Sequence, residues 1–175
     1  MPAPIDVSRE PEDKTVRSLH LSTAGDAVTR AIEELRSACR EHGVGERDLA
    51  ALELICDELV SNVSHHAYGD EDGPLELEIE LDETRCILTL TDQGPPFDPS
   101  RRADPDVDVP LEEREIGGLG ILLVREQADR MEYRRRDDQN MLRIERRLDT
   151  DCSVPPRGNG LLPLFPRVGV DSRAT

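Results

Sequence analysis

Leu75-Glu-Leu-Glu-Ile-Glu-Leu-Asp-Glu-Thr-Arg-Cys-Ile-Leu-Thr-Leu-Thr91 sets the architecture of this chain. Over Leu75–Leu81 apolar and acidic residues alternate without a break, the period-two pattern of a strand with one buried and one wet face. Arg85–Thr91 reads as a second strand. The short acidic turn Asp82–Thr84 between them predicts an antiparallel hairpin. Upstream, Ala27, Ala31, Ile32, Leu35, Ala38 and Cys39 recur at helical spacing, with Ser22 and Thr23 as candidate N-caps and Gly43 as a stop. A second helix is expected from about Glu46 to about His66, ended by Gly69. Val16–Leu21 precedes both helices as a short strand.

Downstream the pattern breaks. Residues 98–116 hold three prolines, seven acids and three arginines, and so long a stretch without periodicity is usually functional or disordered. Gly117, Gly118 and Gly120 then introduce a helix over Ile121–Ala128. Met131–Arg136 and Met141–Leu148 predict a final hairpin across Asp137–Asn140. The order is strand, two helices, hairpin, loop, helix, hairpin. Without βαβ alternation, this is an α+β fold in two layers, with helices on one face of a mostly antiparallel sheet. The other sheet face must then be polar or covered by a partner. Three segments are expected: a disordered start over 1–14, one domain over 15–148 with a lid at about 98–116, and a Pro/Gly-rich tail over 149–175.

Composition narrows the function. With 22 Lys and Arg against 38 Asp and Glu in 175 residues, the net charge is -16. That argues against nucleic acid, whose recognition needs cationic surface to displace counterions, and against anionic lipid. Aromatic residues make up 2% of the chain and Trp is absent, so the core must be aliphatic. Cys39, Cys56, Cys86 and Cys152 show no metal-ligand spacing, and the first three fall in core elements, where Cys acts as a small apolar residue. Met1–Glu10 has no apolar run that reads as a leader, and no stretch approaches the ~20 apolar residues of a membrane span. A cytoplasmic location is expected.

Three motifs carry chemistry. In Asp57-Glu-Leu-Val-Ser-Asn-Val-Ser-His-His-Ala-Tyr-Gly69, Glu58, Asn62 and His66 fall at i, i+4 and i+8, on one helix face opposite Leu52, Cys56, Leu59 and Val63. A carboxylate and a carboxamide one turn apart suit a divalent metal and its phosphates, and the carboxylate can take a proton. Asn is also a poor helix former, so its place here is costly for an ordinary solvated face. Asp92-Gln-Gly-Pro-Pro-Phe-Asp98 follows a strand directly. It ends that strand as a turn, and it also puts Asp92 at a pocket edge. A buried carboxylate needs a donor; the exocyclic amine of adenine is one, and Gly94 would let a flat base approach the backbone. Gly117-Gly-Leu-Gly-Ile121 can be a hinge. It can also be a glycine-rich turn whose N–H groups and helix dipole hold phosphate. It lacks the Lys-Ser/Thr ending of a Walker loop and follows no strand, which excludes a P-loop or Rossmann reading.

The three together resemble the N, G1 and G2 boxes of the GHKL ATPases, and within them the anti-sigma-factor serine kinases of the RsbW and SpoIIAB type. The likeness covers about residues 16–148. It implies a Bergerat ATP-binding fold with a mobile lid, and ATP and Mg2+ as cofactors. Glu58 is implied as the general base and Asn62 as the magnesium ligand. Asp92 is implied as the adenine reader beside Gly94, and Gly117, Gly118, Leu119 and Gly120 as phosphate contacts. His66 matches a position near the nucleotide, and Arg114 a basic lid position. The implied acceptor is a serine on a STAS-domain anti-anti-sigma protein, with a sigma factor as a second partner and a homodimer as the assembly. Pro95-Pro96 departs from the glycines common in the G1 box. The lid is unusually acidic, and the tail has no counterpart. A nucleotide-gated binding module is the competing function, although it would have no need of Glu58. A sensor histidine kinase would need a phosphoacceptor His on a helical hairpin, and His20 falls in a strand instead.

Overall fold

The computed structural model describes residues 14–69, 71–101 and 119–149. Expectations for residues 1–13, Arg114, Gly117, Gly118, Cys152, most of the lid and the tail beyond Asp149 lie outside the described residues.

The alternating strand forms as its pattern requires. β2 (Pro74–Leu81) buries Leu75, Leu77, Ile79 and Leu81 and turns Glu76, Glu78 and Glu80 outward. It pairs antiparallel with β3 (Arg85–Asp92), Leu81 opposite Cys86 and Leu75 opposite Asp92. The acidic turn is braced by its own first residue. Asp82 Oδ1 accepts from the Thr84 N–H at 2.8 Å, the Thr84 hydroxyl at 2.7 Å and the Arg85 N–H at 3.1 Å. Burial works to raise the Asp82 pKa, and these bonds outweigh it and hold the carboxyl below its ordinary value.

β1 (Thr15–Ser22) lies on the far side of β2, and β5 (Gln139–Arg147) on the far side of β3. With β4 (Arg130–Arg136) at the edge, the five-stranded sheet runs β1-β2-β3-β5-β4. Every neighbouring pair is antiparallel. The fold is α+β, as expected. The last hairpin is tighter than the sequence suggests. Its turn is Asp137-Asp138 alone, with φ of 51° and 63°, the left-handed pair that a two-residue hairpin requires. Gln139 and Asn140 therefore belong to β5, with consequences for the site.

Helices cover one face. α1 (Ala27–Glu41) buries Ala27, Ala31, Leu35, Ala38 and Cys39. It ends at Gly43, φ +67°, with Val44 N–H bonded back to the Cys39 carbonyl at 3.0 Å, the expected glycine stop. Its start differs from expectation: the N-cap is Asp26 and no side chain caps the helix. Ser22 is the last residue of β1, and the Thr23 hydroxyl accepts from the Gly73 N–H at 2.8 Å instead. α2 spans Glu46–His66 and α3 spans Leu119–Gln127.

Cys39, Cys56 and Cys86 are buried free thiols. Burial pushes Cys39 up to about 11 and Cys56 up to about 12, which suits packing and not reactivity. Asp48, 3% exposed, joins three elements at the far end of α2. Its Oδ1 takes Arg146 Nη2 at 2.8 Å, its Oδ2 takes the Asp149 N–H at 2.8 Å, and Arg146 Nη1 donates to the Gln127 carbonyl. A buried charge pair with its remaining valences filled orders the ends it joins, more than it adds stability. The face opposite the helices is mostly polar, carrying Ser18, His20, Glu76, Glu78, Thr89, Thr91 and Arg143 in register across β1, β2, β3 and β5, with Val16, Ile87 and Met141 among them.

Candidate functional site

A cavity of about 340 Å³ opens between the C-terminal half of α2 and the ends of β3, β5 and β4, a volume typical of small-molecule sites. α2 is amphipathic: Leu52, Ile55, Cys56, Leu59, Val60 and Val63 face the core. Its 3.6-residue repeat therefore carries Asn62 and His66 to the cavity wall. β3 ends at Asp92, which enters the cavity from the opposite side because it follows Leu88 and Leu90 on the helix-facing side of the strand. The structure thus brings Asn62, His66 and Asp92 together around one space.

Asp92 is 8% exposed and its oxygens have different surroundings. Oδ1 accepts from the Gly94 N–H and from Asn140 Nδ2, each at 2.8 Å. Oδ2 receives no hydrogen bond among the described residues. Gly94 earns its place through a neighbour and not only through a ligand. A Cβ there would stand 2.7 Å from Ala67 Cβ and 2.8 Å from the Ala67 carbonyl oxygen, so the strand end can lie on the end of α2 only as glycine. Tyr68, next in the chain, ties the same parts together. Its hydroxyl donates to the Pro74 carbonyl at 2.6 Å and accepts from the Gln93 N–H at 2.7 Å. Burial raises the Tyr68 pKa above its ordinary value.

Glu58 sits one turn before Asn62 and is not among the residues lining the cavity. Its carboxylate lies instead against Gly120, the second residue of α3, and any Cβ at 120 would overlap it. The helix bearing the acid and amide therefore meets the glycine-rich helix start, which no spacing in the sequence could show. Leu119, the first residue of α3, is exposed. Among the described residues Glu58, Asn62 and His66 have no side-chain hydrogen-bond partner.

No group of three or more His, Cys, Asp or Glu suited to a metal occurs among the described residues. The donor set is one carboxamide oxygen, from Asn62, with open cavity beside it. That fits Mg2+, which keeps several waters and is held by few protein ligands plus substrate phosphates.

Asn140, Tyr133 and Arg135 escaped the sequence reading. Asn140 is 5% exposed and pairs across the sheet with Asp92 on one side and Arg135 on the other. One signal was available. Asn140 continues the Leu142, Ile144 alternation, so it is a polar residue at a core-facing strand position, a place that demands partners. Phe97, 39% exposed, also lines the cavity.

Comparison with known proteins bears on the family and the fold. Residues 21–146 match the model of the histidine kinase-like ATPase domain. The chain is 28% identical over 129 residues to the serine/threonine-protein kinase BtrW of Bordetella bronchiseptica, covering 73% of this chain and 90% of that one. It is 32% identical over 91 residues to the serine-protein kinase RsbW of Halalkalibacterium halodurans, covering 50% of this chain and 56% of that one. It is 27% identical over 112 residues to the RsbW of Listeria monocytogenes, covering 61% and 71%. Among solved structures, the RsbU and RsbW domains of Rv1364c from Mycobacterium tuberculosis superpose with a TM-score of 0.52 at 15% identity. That match spans 75% of this chain and 32% of the other, a likeness of fold. The matched span covers most of the chain, and the chain belongs to the histidine kinase-like ATPase domain family.

Proposed function

We propose that this protein is an ATP-dependent serine-protein kinase that acts as an anti-sigma factor and phosphorylates a serine of a STAS-domain anti-anti-sigma partner. One observation carries the reading. Asp92, with an oxygen free of partners, and Asn62 face the same cavity, while Glu58 stands one turn from Asn62 at the glycine-rich start of α3. The kinase names of the relatives support it.

In this reading Asp92 accepts the adenine amine, and Gly94, pressed on Ala67, forms the floor of the base pocket. The backbone at Leu119 and Gly120, at the positive end of α3, faces the phosphates. His66, Arg114, Gly117 and Gly118 are proposed to flank them. Asn62 would hold Mg2+, which when bound neutralises phosphate charge. Phosphoryl transfer asks for positioning and charge stabilisation more than covalent chemistry. The serine oxygen bonds to the γ-phosphorus as the bond to ADP breaks, and the hydroxyl proton passes to Glu58. No helix among the described residues is long and apolar enough to cross a membrane. A cytoplasmic homodimer, with a sigma factor as second partner, completes the proposal.

The test is incubation with labelled ATP, Mg2+ and a panel of STAS-domain proteins. Label on a serine of one of them is expected. ATP binding without transfer to any panel member would replace the kinase with a nucleotide-gated binding module.

A further inference from the structure

Asn140 uses its whole hydrogen-bonding capacity inside the protein. Nδ2 donates to Asp92 Oδ1 at 2.8 Å, to the Pro95 carbonyl at 3.0 Å and to the Gly94 carbonyl at 3.3 Å. Its Oδ1 accepts from the Tyr133 hydroxyl at 2.7 Å and from Arg135 Nη1 at 2.8 Å. Arg135 Nη1 also reaches the Gly94 carbonyl at 3.0 Å. Arg135 can only donate and the Asp92 carboxylate can only accept, so these two fix which end of the amide is oxygen, and the Tyr133 hydroxyl donates to that oxygen. Were the amide reversed, its NH2 would meet a guanidinium and its oxygen would meet the Asp92 carboxylate. The Gly94 N–H and Asn140 together occupy one carboxylate oxygen of this cavity-lining residue and leave the other without a partner among the described residues.

We infer that Asn140, locked by Arg135 and Tyr133, is a positioning residue for base specificity: by occupying Asp92 Oδ1 it presents the nucleotide with a single acceptor, which selects adenine over guanine. The chemistry follows from the two bases. Adenine offers its 6-amine beside N1, which accepts and donates nothing. Guanine offers N1–H and its 2-amine side by side, a pair that suits a carboxylate with both oxygens free. A carboxylate with both acceptor positions of one oxygen filled, here by the Gly94 N–H and Asn140, satisfies the first and leaves a guanine donor unpaired. Discrimination is the difference between those two affinities. Asn140 need not touch the base to set it.

This inference rests on the nucleotide reading above, and the two can fail separately. The full chain with Mg2+ is titrated calorimetrically with ATP and with GTP. The wild type is expected to prefer ATP. Asn140→Ala leaves Oδ1 with the Gly94 N–H as its one partner and so opens one acceptor position, and the GTP-to-ATP ratio of Kd values should fall about tenfold, the worth of one hydrogen bond. Should that variant not fold, Arg135→Leu carries the test. Arg135 lies on the edge strand and is only partly buried, and its loss should relax the ratio in the same direction, with Arg135→Lys restoring a donor and part of the selectivity. A ratio unchanged in Arg135→Leu, with both nucleotides weakened in proportion, would show a merely structural role and overturn the inference while leaving nucleotide binding intact. A wild type that binds neither nucleotide overturns both.

Discussion

At the Asp92 end of the cavity, Asp92, Asn140, Tyr133, Arg135 and Tyr68 hold one another and the surrounding backbone through bonds of 2.6–3.3 Å. Along the α2 side, Glu58, Asn62 and His66 have no such partners among the described residues. The first end is buried and must satisfy its polar groups within the fold, because a buried unpaired group costs about 1–3 kcal/mol. The second is open enough for water to serve until a ligand arrives. In the proposed reading, the base-recognition end is built during folding, whereas the groups proposed for metal and proton transfer have no hydrogen-bond partners among the described residues.

The contrast can be broken by mutation. Glu58→Ala should have the largest effect, roughly 10²–10⁴-fold slower transfer to the partner serine, with ATP affinity nearly unchanged in the same preparation. Transfer that persists would remove Glu58 as the base. Asp92→Asn should weaken ATP about 100-fold, the worth of a hydrogen bond to a charged acceptor, since the new amide would set a donor against the adenine amine or against Asn140. Unaltered affinity by calorimetry would take Asp92 out of the adenine pocket.

The two glycines sharpen the same comparison. Gly94→Ala drives a methyl group into the Ala67 backbone, and about 1–3 kcal/mol of stability should be lost, seen as a lower Tm. Gly120→Ala meets only the end of the Glu58 side chain, which can swing aside, so Tm should move less than for Gly94→Ala while transfer slows. Equal losses of Tm would mean that both ends are rigid. The smallest effect is expected for Tyr68→Phe, about 1 kcal/mol in chemical denaturation. Burial raises the Tyr68 phenol above 10.0, so the folded state holds that proton more tightly than the unfolded chain. Its stabilising contribution is full below pH 10 and declines as pH rises through the folded pKa. A stability difference between wild type and Tyr68→Phe that does not narrow in that range would argue against it.

Much of the chain was legible because periodicity is local. Leu75–Leu81 announces its strand, and the helix expected from about Glu46 to about His66 runs Glu46–His66, because its apolar stripe is long and Gly69 follows close behind. The Ser22 and Thr23 caps were misplaced because hydroxyls can serve a neighbouring backbone as well as a helix end, and Gly73 claimed Thr23. The last turn was read two residues too long, since nothing local shows that two aspartates can take positive φ together.

By itself the sequence determined the α+β class, the α2 face bearing Glu58, Asn62 and His66, and the placement of Asp92 at a strand end, all consequences of spacing along one element. Only the tertiary structure decided that Asn140 and Arg135 stand behind Asp92, that Gly94 serves Ala67, and that Glu58 lies over Gly120. Those contacts join residues 27 to 62 positions apart or strands paired across the sheet. Register and packing, which act between elements, set them, and a pattern read along one element carries no record of which other element it will meet.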